Sequence, residues 1–384
     1  MIVYRQPSGR EREAALDLVA ASFPNDRARQ PEVRAAVLCD PSFAPAEAVV
    51  AVDDGEVVGY LATCATRVSL SGEALPVRLI GAVCTRRDRR RQGVGRGLLV
   101  AAACRADGAG ALCLSPAQEA YVHDFYSGEG FVPAVRSRPV YELNARRLAR
   151  VDRRPVRDAT LADVGGLAAI YGAHYWPQTG AQERSRDWWE RRVRRAPMLW
   201  SALIPRVRAV DGNGGVVAYS VCTDDDPLRL WEWAAAPGHA LAALALLADE
   251  ARQAGPHLGV QIAPHDPLWP ALEPFRPRPT TPETGVLMWR AQDIDVLAPV
   301  LARVLAAAGA GLSERAGQAV VSVGRAELVA DWSRLLALVY DGRTLPSWLD
   351  AAHVALEPDT PDTRAALVAV LPARASTRRI TDAW

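Results

Sequence analysis

The residue types and spacing with most chemical content lie between positions 81 and 99, Gly81-Ala82-Val83-Cys84-Thr85-Arg86-Arg87-Asp88-Arg89-Arg90-Arg91-Gln92-Gly93-Val94-Gly95-Arg96-Gly97-Leu98-Leu99. An apolar run enters a loop rich in arginine and glycine. Leu98, Leu99, Ala102 and Ala103 then share one face of a helix. Glycines let a backbone approach a phosphate closely. The free N–H groups of an opening helix point at the anion, and the helix dipole assists them. Arg91 and Arg96 add planar forks for bidentate phosphate contacts. The segment is no Walker loop, because all 45 basic residues are arginine and the chain has no lysine. It also departs from the dinucleotide fingerprint, since its G-x-G follows an arginine run.

The absence of lysine excludes a lysine Schiff base and a lysine general base. A formal net charge of +1 supplies no global field that would recruit a polyanion. No aromatic platform adjoins Arg86–Arg91, which argues against a nucleic-acid patch and leaves no nucleic-acid partner expected. Cys39, Cys64, Cys84, Cys104, Cys113 and Cys222 form no C-x-x-C, and no H-x-x-x-H accompanies them, so neither a zinc site nor a redox motif is supported. They read as small buried hydrophobes of a reduced, cytoplasmic protein. No metal is expected; His174 and Tyr175-Trp176 show no ligand pattern. Neither a signal peptide nor an apolar stretch of about 20 residues is visible, so no membrane partner is expected. Trp188, Trp189, Trp200, Trp231 and Trp233 read as core packing rather than a substrate cage.

The elements that must position the loop follow from periodicity and turn chemistry. Ala14–Ser22 has helical spacing. Ala48–Val52 and Val57–Cys64 are apolar runs about Asp53-Asp54-Gly55, a hairpin signal. Arg67–Leu70 and Val77–Cys84 flank a second turn, Ser71-Gly72-Glu73. After the loop helix, Gly108 and Gly110 mark a stop, Ala111–Leu114 is a buried strand, and a helix carries Tyr121, Phe125 and Tyr126. Val135–Leu143 is a strand, and Asn144–Arg154 reads as a linker. This order predicts an α/β (α+β) fold with mixed sheets flanked by helices. A second block repeats the outline over 151–290, with Trp233-Ala234-Ala235-Ala236-Pro237-Gly238-His239 in place of the arginine-glycine loop. The final block, 291–384, holds helices over Val296–Ala307, Trp332–Tyr340 and Thr363–Leu371 with a strand pattern over Ala319–Val329.

With these residues in view, the first block, 1–150, resembles the GNAT superfamily of N-acetyltransferases. Arg90-Arg91-Gln92-Gly93-Val94-Gly95 matches the family's R/Q-x-x-G-x-G/A. Phe125-Tyr126-Ser127-Gly128-Glu129-Gly130-Phe131 is similar to its Y-x-x-x-G-F. The resemblance implies acetyl-CoA as the acetyl-donor cosubstrate. Its pyrophosphate would rest on Arg90, Arg91, Gln92, Gly93, Val94, Gly95 and Arg96, and its pantetheine arm would bond to the strand at Val83, Cys84 and Thr85. It implies that Tyr126 is the general acid toward the CoA thiolate.

The whole chain resembles the Eis-type (enhanced intracellular survival) family: tandem GNAT-like domains, the second degenerate, followed by a short sterol-carrier-protein-like domain. That resemblance implies a C-terminal tail entering the active site, with the α-carboxylate of Trp384 as base. It also implies a homo-oligomer, a hexamer, and a small-molecule primary amine as substrate, such as an aminoglycoside or another polyamine. Asp26 and Asp382 are candidates for an acidic amine-binding mouth. A non-catalytic CoA- or lipid-binding module remains the alternative.

Overall fold

The computed structural model describes residues 1–23, 48–117, 119–138, 140–151, 154–195, 205–223, 229–230, 232–253, 257–262, 266–280, 283–341 and 355–357. The chain opens with strand β1 (Val3–Arg5) and helix α1 (Gly9–Ser22). Ser8 and Glu11 close a capping box at the start of α1, which satisfies two of its otherwise orphaned N–H groups. A meander follows: β2 (Ala48–Asp53), β3 (Glu56–Leu70) and β4 (Glu73–Thr85). Where the turn chemistry suggests two separate hairpins, β3 is one unbroken 15-residue strand that serves both. The stretch Ala65-Thr66 between the two apolar runs has no Gly, Pro or Asn, so nothing there stops the ladder. Helix α2 (Val94–Ala103), β5 (Ala111–Leu114), α3 (Ala120–Gly128) and β6 (Val132–Arg138) complete the first block.

Next come β7 (Val140–Asn144) and α4 (Ala145–Leu148), and then, in the second block, β8 (Val156–Asp158), α5 (Val164–Tyr175) and α6 (Arg186–Val193). It continues through β9 (Pro205–Gly212), β10 (Gly215–Thr223), β11 (Arg229–Leu230), β12 (Glu232–Ala235), α7 (Ala240–Gln253), β13 (His257–Gln261), α8 (Trp269–Leu272) and β14 (Arg278–Pro279). The expected linker therefore starts with structure: Asn144 ends a strand, and its side chain accepts from the Arg147 N–H to cap α4. Then come β15 (Glu283–Ala291), α9 (Ile294–Ala307), β16 (Gly311–Arg315), β17 (Gln318–Val323), β18 (Ala326–Ala330), α10 (Trp332–Asp341) and β19 (Ala355–Glu357).

The strands do not respect the order of the blocks. The main sheet runs β1-β2-β3-β4-β5-β15-β6, so a strand from the end of the second block lies between β5 and β6. Conversely β7 leaves the first block and lies between β13 and β14 in the sheet β11-β13-β7-β14. The exchange is reciprocal. Each donated strand lies between two strands of the sheet that receives it, so neither sheet is complete without the other's chain segment.

Apolar side chains cover both faces of the main sheet. On one face Leu16 and Val19 of α1 pack with Leu297, Leu301 and Leu305 of α9 and Leu335, Leu336 and Tyr340 of α10. The last block thus shares its core with the first, and the Trp289 and Tyr340 rings stand 4.8 Å apart. On the other face Val94, Leu98, Leu99 and Ala102 of α2 pack with Tyr126 and Phe131. The remaining strands form the four-stranded sheets β12-β10-β9-β8 and β16-β17-β18-β19. Among the described residues no helix is long and apolar enough to cross a membrane.

Candidate active site

The site begins as a gap between two parallel strands. β4 pairs with β5 only from Val77↔Ala111 to Ile80↔Leu114. β4 then runs on for five more residues, Gly81 to Thr85, held on its other side by β3 through Thr85↔Gly59, Cys84↔Tyr60 and Gly81↔Ala62. Among the described residues no strand pairs with this stretch on the β5 side, which leaves about 16 Å of open strand edge. A register shift between Tyr60 and Ala62 bends β4 at the mouth of the gap, where Ala82 takes a left-handed φ of 51°. Val83, Cys84 and Thr85, the expected pantetheine-binding residues, all lie on this open stretch. Those of its N–H and C=O groups that face away from β3 line an edge where an extended amide-bearing ligand can pair.

The expected phosphate loop lies directly after it. Arg91 (φ 62°) and Gly93 (φ 81°) are both left-handed, and Gly93 is the N-cap of α2. Alternating hands of this kind turn successive N–H groups inward into a nest. A Cβ at Gly93 would meet no atom within 4 Å, so backbone conformation and not space calls for glycine there. Gly97 is different: a Cβ there would stand 2.1 Å from Cζ of Tyr4, which lets α2 press onto β1.

The arginines divide into two groups. Arg86 donates twice to Asp88, at 2.8 and 3.0 Å, and Arg89 pairs with Asp53 at 2.9 Å. Arg90 donates through Nε to the Thr85 carbonyl, and Gln92 donates to the Asp88 carbonyl. These contacts hold the loop in shape. Arg91 is exposed and carries no ion pair among the described residues, so its guanidinium is available to a ligand. Arg96, in the first turn of α2, is paired at 3.4 Å with Glu129.

Tyr126 lies behind the gap on α3. It is 7% exposed, its ring 5.8 Å from that of Phe131 in an edge-on contact. The Phe131 N–H donates to the Tyr126 carbonyl, so the turn after α3 folds back over the residue. Burial, with the neighbouring Cys84 thiol adding to it, pushes the phenol well above the usual tyrosine range. The same causes keep Tyr60 protonated. Burial pushes the Cys84 thiol up to about 12, so Cys84 is a neutral lining group and not a nucleophile. The structure therefore brings together the open β4 edge, the nest, and Tyr126 with its phenol near Cys84. Asp26, Asp382 and Trp384 lie outside the described residues.

Sequence reasoning missed Glu129 and Arg290. Arg290, on the donated strand β15, donates to the Glu129 carbonyl at 3.3 Å and lies 5.3 Å over the Phe131 ring. No local signal could point to it, because it arrives from 161 residues away by strand exchange. His174 also has a partner that spacing does not reveal: its Nε2 is 3.2 Å from Asp266, both side chains buried. Among the described residues no cluster of His, Cys, Asp and Glu could hold a metal.

In the second block two strands part in a similar way, with different surroundings. β11 pairs with β13, and β12 continues away along β10, as β4 does along β3. The approach to α7 keeps one left-handed glycine, Gly238 (φ 80°), without arginines. The Trp233 carbonyl on β12 is already taken by the Tyr175 hydroxyl at 2.6 Å.

Residues 3–133 match the acetyltransferase (GNAT) domain family. That segment, about a third of the chain, is similar to GNAT acetyltransferase domains. Solved structures similar to the whole chain include a GCN5-related N-acetyltransferase from Kribbella flavida, with a TM-score of 0.75, 16% identity and 98% of both chains covered. A GCN5-related N-acetyltransferase from Anabaena variabilis has a TM-score of 0.70, 14% identity and 98% of both chains covered. Eis1 from Mycobacterium abscessus has a TM-score of 0.67 and 16% identity, over 98% of this chain and 99% of that one. No curated protein sequence matches the chain. At these identities the likeness shows a shared mixed α/β, GNAT-like fold.

Proposed function

We propose that the chain transfers an acetyl group from acetyl-CoA to a primary amine, with the donor in the β4–β5 gap. One observation carries the reading: an open strand edge leads straight into a left-handed nest at a helix N-terminus, inside the segment that matches the acetyltransferase domain. The open edge fits the two amides of a pantetheine arm. The nest, Arg91 and the first turn of α2 fit a diphosphate. CoA brings the thioester to be opened; the protein holds it and supplies a proton.

Tyr126 is assigned that proton. Its burial keeps the phenol neutral at physiological pH, so it is available to meet charge developing on a departing thiolate. Cys84 lines the same place without competing as a nucleophile, which favours direct attack of the amine over an acyl-enzyme. The acceptor side is assigned by resemblance alone. Asp26 and Asp382 would attract the ammonium form, and the segment that carries Asp382 and Trp384 would supply the group that accepts its proton.

The tandem reading also belongs to this proposal: an active copy in 1–150, a degenerate copy in 151–290 and a short sterol-carrier-protein-like unit in 291–384. It is supported by the likeness over 98% of this chain to Eis1 and by the similar parting of two strands in the second block. A panel of amines incubated with acetyl-CoA tests the function through thiol release. Release that depends on an amine supports transfer. CoA binding without release under any amine would favour a non-catalytic acyl-CoA-binding module.

A further inference from the structure

We propose that Glu129 is a built-in competitor of the CoA diphosphate for Arg96, and so sets how tightly the donor site holds and releases its ligand. The inference rests on the donor site proposed above. α3 lies against the first turn of α2 along a defined line: Phe125 touches Gly95, and one helical turn later Glu129 meets Arg96. Helical side chains lean toward the N-terminus of their own helix. The Arg96 guanidinium therefore stands on the nest side of α2, and the Glu129 carboxylate stands there with it.

The two side chains differ in freedom. Arg96 is 71% exposed and Glu129 only 16%, so the carboxylate stays and the arginine can swing. Glu129 is held through its backbone: its carbonyl accepts from Arg290 at 3.3 Å, and its N–H donates to the Tyr126 carbonyl at 3.0 Å. Arg290 is held in turn by Gln292, whose side chain donates to the Ala103 carbonyl at the end of α2. The carboxylate accepts none of these hydrogen bonds. Its charge acts on the half-buried Arg290, and it engages Arg96 at the end of a helix that favours anions. A diphosphate arriving in the nest carries more negative charge than one carboxylate. It draws Arg96 away and leaves Glu129 as a like charge beside it. Both effects weaken donor binding and speed departure of the CoA product.

The test titrates CoA into the full chain. Glu129→Gln keeps the side-chain size and every backbone anchor but removes the charge. It should lower the CoA dissociation constant about two- to fivefold, the scale of one exposed ion pair. In an Arg96→Ala background the same substitution should gain clearly less, because the competed-for group is gone. An unchanged or raised dissociation constant in Glu129→Gln overturns the inference, as does an equal gain in both backgrounds. Arg96→Gln serves as a second background should Arg96→Ala fold poorly. Absence of CoA binding by the wild-type chain overturns the donor site itself. Wild-type binding with an unmoved Glu129→Gln overturns this inference alone.

Discussion

Gly95 presses its α-carbon against the ring of Phe125: a Cβ at Gly95 would lie 3.2 Å from Cζ. This contact joins the helix that carries the phosphate nest to the helix that carries Tyr126. Phe125→Ala should therefore disturb both functions, raising the acetyl-CoA KM and lowering kcat. The ring is only partly buried, so the stability cost should be about 1–3 kcal/mol, below that of a fully buried phenylalanine. Steady-state kinetics and a thermal melt check this. A variant that loses stability while keeping both constants would show that the contact only packs.

Tyr126→Phe keeps the packing with Phe131 and removes the proton. It should lower kcat by roughly 10²–10⁴ while KM barely moves, if the phenol is the sole acid. An unchanged kcat would leave Tyr126 as a core residue or make product release the slow step.

Alkaline stability follows from the three buried acids. Burial raises the Cys84 thiol from its ordinary 9.0 to about 12, and raises Tyr60 and Tyr126 above the usual phenol range. Each group holds its proton more tightly folded than unfolded. Their contribution is whole below about pH 9 and is lost as pH rises through the folded values. Denaturant titrations at pH 7.5, 9 and 10.5 should show stability falling across that range, and falling less in Cys84→Ala. A flat profile would contradict the burial of these groups.

Removal of the second block should abolish folding of the first. Residues 1–150 lack β15, which lies between β5 and β6 and pairs with both. Expressed alone they should show no cooperative melt. A folded fragment would mean that β6 closes onto β5 without the donated strand.

These last residues mark where the sequence is readable. The loop over Arg90–Gly95 announces itself because phosphate chemistry needs glycine and arginine at adjacent positions, and the structure gives Gly93 its left-handed turn. The hairpins at Asp54-Gly55 and Ser71-Gly72 announce themselves through residues that tolerate positive φ. The strand exchange does not. β7 and β15 carry ordinary apolar patterns, and pattern alone says which face of a strand is buried but not which sheet receives it. Glu129 and Arg290 are hidden for the same reason, since their meaning depends on a neighbour delivered from a distant segment. The edge of β4 is half readable: its residues are apparent, but the gap depends on β5 stopping at Leu114.

The account's central claim is that the β4–β5 gap and the nest at α2 form the one CoA site of the chain. Calorimetric titration of CoA into the wild type, and into the double variant Arg91→Ala with Gly93→Ala, tests it most directly. Alanine at Gly93 must adopt φ 81°, a strain of about 1–2 kcal/mol that the nest can relieve only by losing its shape. The account predicts one CoA per wild-type chain and a large loss of affinity in the folded double variant. Two CoA per chain, or equal affinity in both proteins, would contradict it.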